Sequence, residues 1–265
     1  MSRKQVSTTI FSLFFFLLFN LHLQADDSFF GLPSPSEILL DAESEGLKIT
    51  ITSKNAKVLR TDISKIAKTD KYQAAFTMGR VFSVAGFSFK KLNNAMILKL
   101  AQKMYMGTAS LKLPEVINNE ITGYYQKMLK NPKWERAELM IFFTSARSSL
   151  MFLMKDESKI DKKAFPEVHS LGCALELGMW FQSLSLALEN LSPEQSESYA
   201  SVFMDSDILD YFDANLKKAI QFEKSPQFFK QLYSIHQKTL SILENESFNH
   251  KSFTALQTKL VEVIK

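Results

Sequence analysis

Residues 71–92, KYQAAFTMGRVFSVAGFSFKKL, carry the pattern that decides the fold. Apolar side chains cover nearly every side of this stretch when it is drawn as a helix, and Arg80 is the only charge between Phe76 and Phe89. A helix that is apolar all round is buried among other elements. The stretch therefore predicts a helix at the centre of a helical protein.

Two later stretches repeat this apolar pattern. Residues 139–154, LMIFFTSARSSLMFLM, contain Arg147 as their only charge, and residues 171–188 contain only Glu176. Prolines that follow good N-capping residues recur along the chain and indicate helix starts. We predict an all-α helical array or bundle of about eight to nine helices. Their expected ranges are 71–92, 94–106, 115–130, 133–154, 167–190, 194–204, 207–223, 226–244 and 249–264.

The helical part of the chain shows a possible internal duplication. Met78-Gly79-x-x-Phe82 recurs as Leu177-Gly178-x-x-Phe181, 99 residues later. The repeat predicts two four-helix units, at 71–154 and 167–244, related by pseudo-symmetry and followed by the helix at 249–264. Chance similarity between two apolar helices is the alternative.

The region before the helical domain, residues 26–70, is predicted to be an extension with little regular structure. A short helix at 37–43 is expected after the N-capping Ser36. Residues 48–53, KITITS, alternate between apolar and polar side chains, and they are the one stretch that could be a strand. A single strand has no partner to pair with in an otherwise helical chain.

The first 25 residues have the order of a secretory signal peptide. Arg3 and Lys4 precede an apolar run at 10–23, and cleavage is expected between Ala25 and Asp26. The alternative is a retained anchor, for which the run is short, since a membrane span takes about 20 residues. We expect a periplasmic or secreted protein of the bacterial envelope; a single cysteine, which excludes an intrachain disulfide, fits this location.

A resemblance supports the same location. The helix Tyr72-Gln-Ala-Ala-Phe76-Thr-Met-Gly79-Arg-Val-Phe-Ser-Val-Ala-Gly86-Phe follows a segment with the order Pro35-Ser-Glu-Ile-Leu39. Together they resemble the leading part of uncharacterised bacterial exported helical proteins. The resemblance implies an envelope location and an α-helical fold, and it supplies no catalytic residue.

Charge and motif content narrow the function classes. Loss of Arg3 and Lys4 from the 32 basic residues leaves 30 against 28 acidic ones, a net charge of +2, so a nucleic-acid partner is not expected. Familiar zinc, nucleophile-elbow and phosphate-loop motifs do not occur, and we predict neither a metal nor a cofactor. The apolar stretch at 139–154 is short and holds Arg147 near its middle, so no stable membrane span is predicted once the signal has been removed.

The isolated charges define the candidate site. A buried charge must be paired, so we predict that Glu176 meets Arg147, Arg80 or both. His169, Cys173 and Glu176 also share one helical face, as half a metal site or a thiol with a base would; a buried free cysteine in an apolar helix is the favoured interpretation. Acids at 205, 207, 210 and 213 fit a helix start better than a calcium loop.

These observations favour a non-enzymatic binding or scaffold protein with an unknown protein partner. An interior helical pocket for an apolar or amphipathic small molecule is the first alternative, since a protein rich in Phe and Met has an adaptable interior. An enzyme is the second, and its site would be built around Glu176, Arg147 and His169.

Overall fold

The computed structural model of the protein describes residues 43–44, 46, 48–88, 92–131, 133–155, 167–190, 206–221 and 227–243. Of the described residues, 85% are helical and none forms a strand or sheet, which confirms the all-α prediction. The helices are α1 (Ser53–Ala56), α2 (Ile63–Ala67), α3 (Lys71–Ser88), α4 (Asn94–Ser110), α5 (Glu115–Lys130), α6 (Arg136–Lys155), α7 (Val168–Asn190), α8 (Ser206–Gln221) and α9 (Gln227–Leu243).

The long helices α3 to α9 were all predicted from periodicity and capping, with ends that differ from the observed ones by at most four residues. Asn131 does not cap α6, which begins five residues later; its side chain accepts a hydrogen bond from the backbone of Lys133 and forms a turn instead. The predicted helices at 194–204 and 249–264 lie outside the described residues. So do the predicted signal peptide and almost all of the predicted helix at 37–43.

The possible strand at 48–53 was wrong. Residues 48–52 have no regular structure, and α1 begins at Ser53. The side-chain amide of Asn190 takes the place of a partner strand, because it accepts from the Thr50 N–H at 2.6 Å and donates to the Thr50 carbonyl at 3.2 Å. The backbone of Thr50 therefore bonds to the last residue of α7 and not to a second strand.

The helices α3 and α7 form a parallel pair at the centre of the described fold. Lys71, the first residue of α3, contacts Glu167, which directly precedes α7, at 2.6 Å. Further along the pair, Ser83 Oγ lies 2.5 Å from Ser183 Oγ. The residue numbers of contacting side chains rise together along both helices, so α3 and α7 run in the same direction. Both helices are buried over most of their length, as their apolar composition predicts.

The pair meets at two glycines. A Cβ atom added to Gly79 would lie 1.9 Å from the Leu175 carbonyl oxygen, and one added to Gly178 would lie 1.9 Å from the Phe76 carbonyl oxygen. The backbones are therefore in direct contact at this crossing. Glycine within a helix costs about 1 kcal/mol relative to alanine, and the close approach offsets that cost by bringing the facing side chains into contact.

The two glycine contacts are reciprocal. Leu175 and Gly178 lie 99 residues after Phe76 and Gly79. Gly79 faces Leu175 and Gly178 faces Phe76, so the same contact occurs twice with the roles of the two helices exchanged. A two-fold relation between equivalent helices produces this kind of self-complementary contact. The reciprocity supports the duplication, whose extension to whole four-helix halves stays a prediction.

The other helices cover the central pair through aromatic contacts. On one side, Phe143 of α6 packs between Phe82 of α3 and Tyr125 of α5, at 5.6 and 6.2 Å between ring centroids. On the other, Phe229 of α9 packs edge-on against Tyr72 at 5.1 Å. Each aromatic pair of this kind contributes about 0.5–1.5 kcal/mol beyond the burial of its area.

Substitution of the two crossing glycines tests this architecture. We expect Gly79→Ala and Gly178→Ala each to lower the free energy of unfolding by at least about 2 kcal/mol, because the new methyl group would overlap a backbone carbonyl that cannot move aside. Chemical denaturation followed by circular dichroism measures the change.

Gly86→Ala is the matched control for the glycine test, since Gly86 lies on α3 and nothing lies within 4 Å of an added Cβ there. Its stability should stay the same or rise by about 1 kcal/mol. Equal stability of the Gly79 and Gly86 variants would contradict the close crossing.

Candidate functional site

A polar network joins the N-terminal segment to the central helix pair. We call residues 48–60 the strap, and the strap network consists of Thr52, Asn55, Arg80, Gln182 and Glu189. The strap supplies the first two residues, α3 supplies Arg80, and α7 supplies the last two. These residues come from three parts of the chain, and the first and last of them, Thr52 and Glu189, are 137 positions apart.

Gln182 lies at the middle of the strap network and is completely buried. Its side-chain oxygen accepts from Arg80 Nε at 3.0 Å, and its side-chain nitrogen donates to Asn55 Oδ1. A primary amide is suited to this position because it both accepts and donates. Gln182 thereby connects the Arg80 cation to the strap.

The network continues to a carboxylate at the end of α7. Asn55 Nδ2 donates to Glu189 Oε2 at 2.6 Å, and Thr52 Oγ1 donates to the same oxygen at 3.0 Å. Charge-assisted hydrogen bonds of this kind are shorter and stronger than neutral ones. These hydrogen bonds hold the strap to the end of α7, and Val58 in the same segment is buried.

The Arg80 guanidinium is the cationic end of the strap network. Burial lowers the pKa of Arg80 to about 10, so the group still carries its charge at neutral pH. Burial of a cation is costly unless hydrogen bonds compensate for lost hydration. The bond to Gln182 supplies part of that compensation and fixes the direction of the guanidinium.

A second polar group lies between α7 and α8. We call Cys173, Glu176 and Tyr211 the Glu176 cluster. Glu176 is 9% exposed, and its Oε2 accepts a hydrogen bond from the Tyr211 hydroxyl at 2.9 Å. Burial raises the pKa of Tyr211, and the nearby Cys173 thiol raises it further. Tyr211 is thus a hydrogen-bond donor at any physiological pH.

The structure places the predicted site residues in two different surroundings. Arg80 belongs to the strap network, whereas Glu176 contacts Tyr211, and six residues, about 9 Å of helix rise, separate Glu176 from Gln182 on α7. Arg147 is half-buried on α6, and His169 is half-buried near the start of α7. Pairing of Glu176 with an arginine stays a prediction.

The described residues contain no group of three or more His, Cys, Asp or Glu side chains that could hold a metal ion. In the acidic segment, Asp213 accepts from Lys217 Nζ at 2.6 Å and from Gln237 Nε2 at 2.7 Å. These contacts connect successive turns of α8 and join α8 to α9. The acid therefore has a structural role in helix packing.

Two buried polar atoms on α5 have no hydrogen-bond partner among the described residues. They are the Tyr125 hydroxyl and Asn118 Oδ1, on residues that lie two helical turns apart on the same face of α5. Tyr125 is completely buried, and burial raises the pKa of its hydroxyl far above the usual value. Because an unsatisfied buried group costs about 1–3 kcal/mol, such atoms need a physical explanation.

Sequence reasoning missed the neutral members of the strap network, Thr52, Asn55 and Gln182. The only sequence signal was a long amide side chain inside the apolar run at 171–188, where a buried polar group needs a partner. Nothing in the sequence indicated that the partner would come from the strap, whose first residues, 48–53, have the alternation of a strand.

Comparison with known proteins gives no further assignment: the chain matches no family model, no curated protein and no solved structure. Within the described ranges, no helix combines the length and hydropathy that crossing a membrane requires.

A double-mutant cycle on Asn55 and Gln182 tests the strap network. We expect Asn55→Ala and Gln182→Ala each to lower the free energy of unfolding by about 1–3 kcal/mol, since each leaves a buried polar group without its partner. The double variant should lose less than the sum, with a coupling energy of at least about 0.5 kcal/mol.

Gln126→Ala is the control for the cycle, because Gln126 is exposed and its hydrogen bond to Tyr105 is long, at 3.4 Å. Its effect should add to that of Asn55→Ala. Full additivity of Asn55→Ala with Gln182→Ala would show that the strap does not depend on this network.

Proposed function

We propose that the protein is an exported, non-enzymatic binding or scaffold protein of the bacterial envelope. The observation that carries the proposal is that polar side chains on the central helix pair bind one another, the strap or α8. Arg80 and Gln182 hold the strap, Ser83 bonds to Ser183, and Glu176 accepts from Tyr211. Side chains engaged in this way stabilise helix positions and favour a rigid support for binding surfaces.

Export is supported by the sequence order at the N-terminus. The basic residues Arg3 and Lys4, the apolar run at 10–23 and the small Ala25 before Asp26 together fit a cleavable signal. The single cysteine, buried at position 173, excludes an intrachain disulfide, which fits a bacterial periplasm better than an animal secretome. The bacterial periplasm is therefore the proposed location.

A second candidate function is the binding of an amphipathic small molecule inside the helical array. The observation that favours it is the pair of unpartnered buried atoms on α5, the Tyr125 hydroxyl and Asn118 Oδ1. A ligand with a polar head group and an apolar body would satisfy such atoms while its body packed among aromatic side chains. Phe143 already lies against the Tyr125 ring and would belong to that environment.

Native mass spectrometry separates the two candidates. The whole chain would be expressed in a bacterium and purified from the periplasmic fraction, and its native mass would be compared with its denatured mass. We expect a denatured mass that corresponds to a chain beginning at Asp26 and a native mass without a small molecule. An uncleaved chain found only in the cytoplasm would contradict export.

A mass lost on denaturation would instead support the amphipathic ligand. In that case Tyr125→Phe should lower ligand occupancy, because it removes the hydroxyl that the head group would bind. Tyr105→Phe is the matched control, since Tyr105 lies on the neighbouring helix α4 and its hydroxyl contacts the exposed Gln126. An equal loss in both variants would argue against a site at Tyr125.

A further inference from the structure

His236 continues the buried apolar face of α9. Phe229 and Leu232 are 0% and 1% exposed, and His236, which follows them at positions i+7 and i+4, is 2% exposed. Residues with this spacing lie on one side of a helix. A titratable imidazole is therefore part of the surface that packs α9 against the rest of the fold.

The two ring nitrogens of His236 have different surroundings. The imidazole donates to the backbone carbonyl of Leu209 on α8, whereas Nε2 is buried and has no partner among the described residues. The partner atom on the ring is thus Nδ1, and burial favours the neutral imidazole, in which Nε2 carries no proton. A proton taken up on acidification would enter at Nε2, at a place where no described residue accepts its hydrogen bond.

The charged groups that act on His236 within the described residues all lie on α8. Asp213 and Asp210 favour the imidazolium and Lys217 opposes it, but burial has the largest effect and lowers the pKa of His236 below its usual value. Asp213 is also engaged by Lys217 and Gln237. Helix α3 contacts α9 about two helical turns before His236, at Phe229, through the uncharged ring of Tyr72.

We propose that His236 is a pH-sensitive latch, and that its protonation loosens α9 from α8 and α3. When the latch opens, the aromatic face of α9 around Phe228 and Phe229 separates from Phe76 and Tyr72 of the central pair. Acidification thereby exposes an apolar helix face that is covered at neutral pH. The proposal is independent of the proposed function, because it requires only the contacts of α9 with α8 and α3.

Proton binding determines the direction and size of the effect of pH on the opening of α9. An exposed histidine has a pKa of about 6.5, so the open form binds a proton below that pH while the closed form resists it. The form that binds more protons is favoured as the pH falls. For one proton, a change from pH 7.5 to 5.5 multiplies the opening equilibrium by at most about tenfold.

Hydrogen exchange followed by mass spectrometry at pH 7.5 and 5.5, corrected for the intrinsic dependence of exchange on pH, measures the opening. We expect peptides from α9, residues 227–243, to lose protection at pH 5.5 by several-fold and up to about tenfold. Peptides from α4, residues 94–110, serve as the internal reference and should keep theirs. Unchanged protection of α9 in the wild-type protein would overturn the proposal.

Substitutions assign the effect to one histidine. His236→Asn keeps a side-chain donor near the position of Nδ1 and cannot be protonated, so its α9 protection should not depend on pH in this range. His169→Asn and His250→Asn remove two other histidines and should keep the wild-type response. A response that survives in His236→Asn, or that disappears in His250→Asn, would contradict the latch.

Asp213→Asn gives a test that does not require the His236 variant to fold. Removal of this acid takes away a group that favours the imidazolium in the closed form, so the response of α9 to acid should become larger. A smaller response than in the wild-type protein would contradict the assignment of the effect to His236.

Discussion

The backbone contact between α3 and α7 at Gly79 and Gly178 is the constraint on which the rest of the described structure depends. Each glycine lacks the side chain that would overlap a carbonyl of the facing helix, so the two helices approach until their backbones touch. Only at this separation do the serines at 83 and 183 meet and does Arg80 reach Gln182. The reciprocity of the contacts, with an offset of 99 residues, fits two copies of one helix that face each other.

The crossing also determines which partners the polar side chains of α3 and α7 can reach. A buried guanidinium and a buried amide on the central pair require further partners, and the strap supplies them through Asn55 and Thr52. Arg80 and Gln182 of the central pair are in this way engaged in holding the strap. Buried polar atoms without a described partner include the Tyr125 hydroxyl and Asn118 Oδ1 on α5 and Nε2 of His236 on α9. These two helices are where ligand binding and a response to pH are to be sought.

Helix positions could be predicted from the sequence because they depend on local information. Apolar periodicity, proline after a capping residue and the scarcity of strand signals are each visible within about 20 residues. The partner of Arg80 could not be predicted, since it depends on which faces of two helices about 100 residues apart come together. The same limit explains the strap, where alternation at 48–53 indicated a strand although the partner of Thr50 is the side chain of Asn190. Reasoning from charge alone did not find Gln182, because it considered only charged partners for Arg80.

A disulfide cross-link tests the parallel crossing most directly. The Oγ atoms of Ser83 and Ser183 lie 2.5 Å apart, close to the length of about 2.05 Å of a sulfur–sulfur bond. In the Ser83→Cys, Ser183→Cys double variant, peptide mass spectrometry after mild oxidation should find positions 83 and 183 joined. The native Cys173 lies about 15 Å before position 183 along α7 and should stay unlinked. A bridge between positions 83 and 173, which an antiparallel pair crossing at the same glycines would favour, or no bridge at all, would contradict the account.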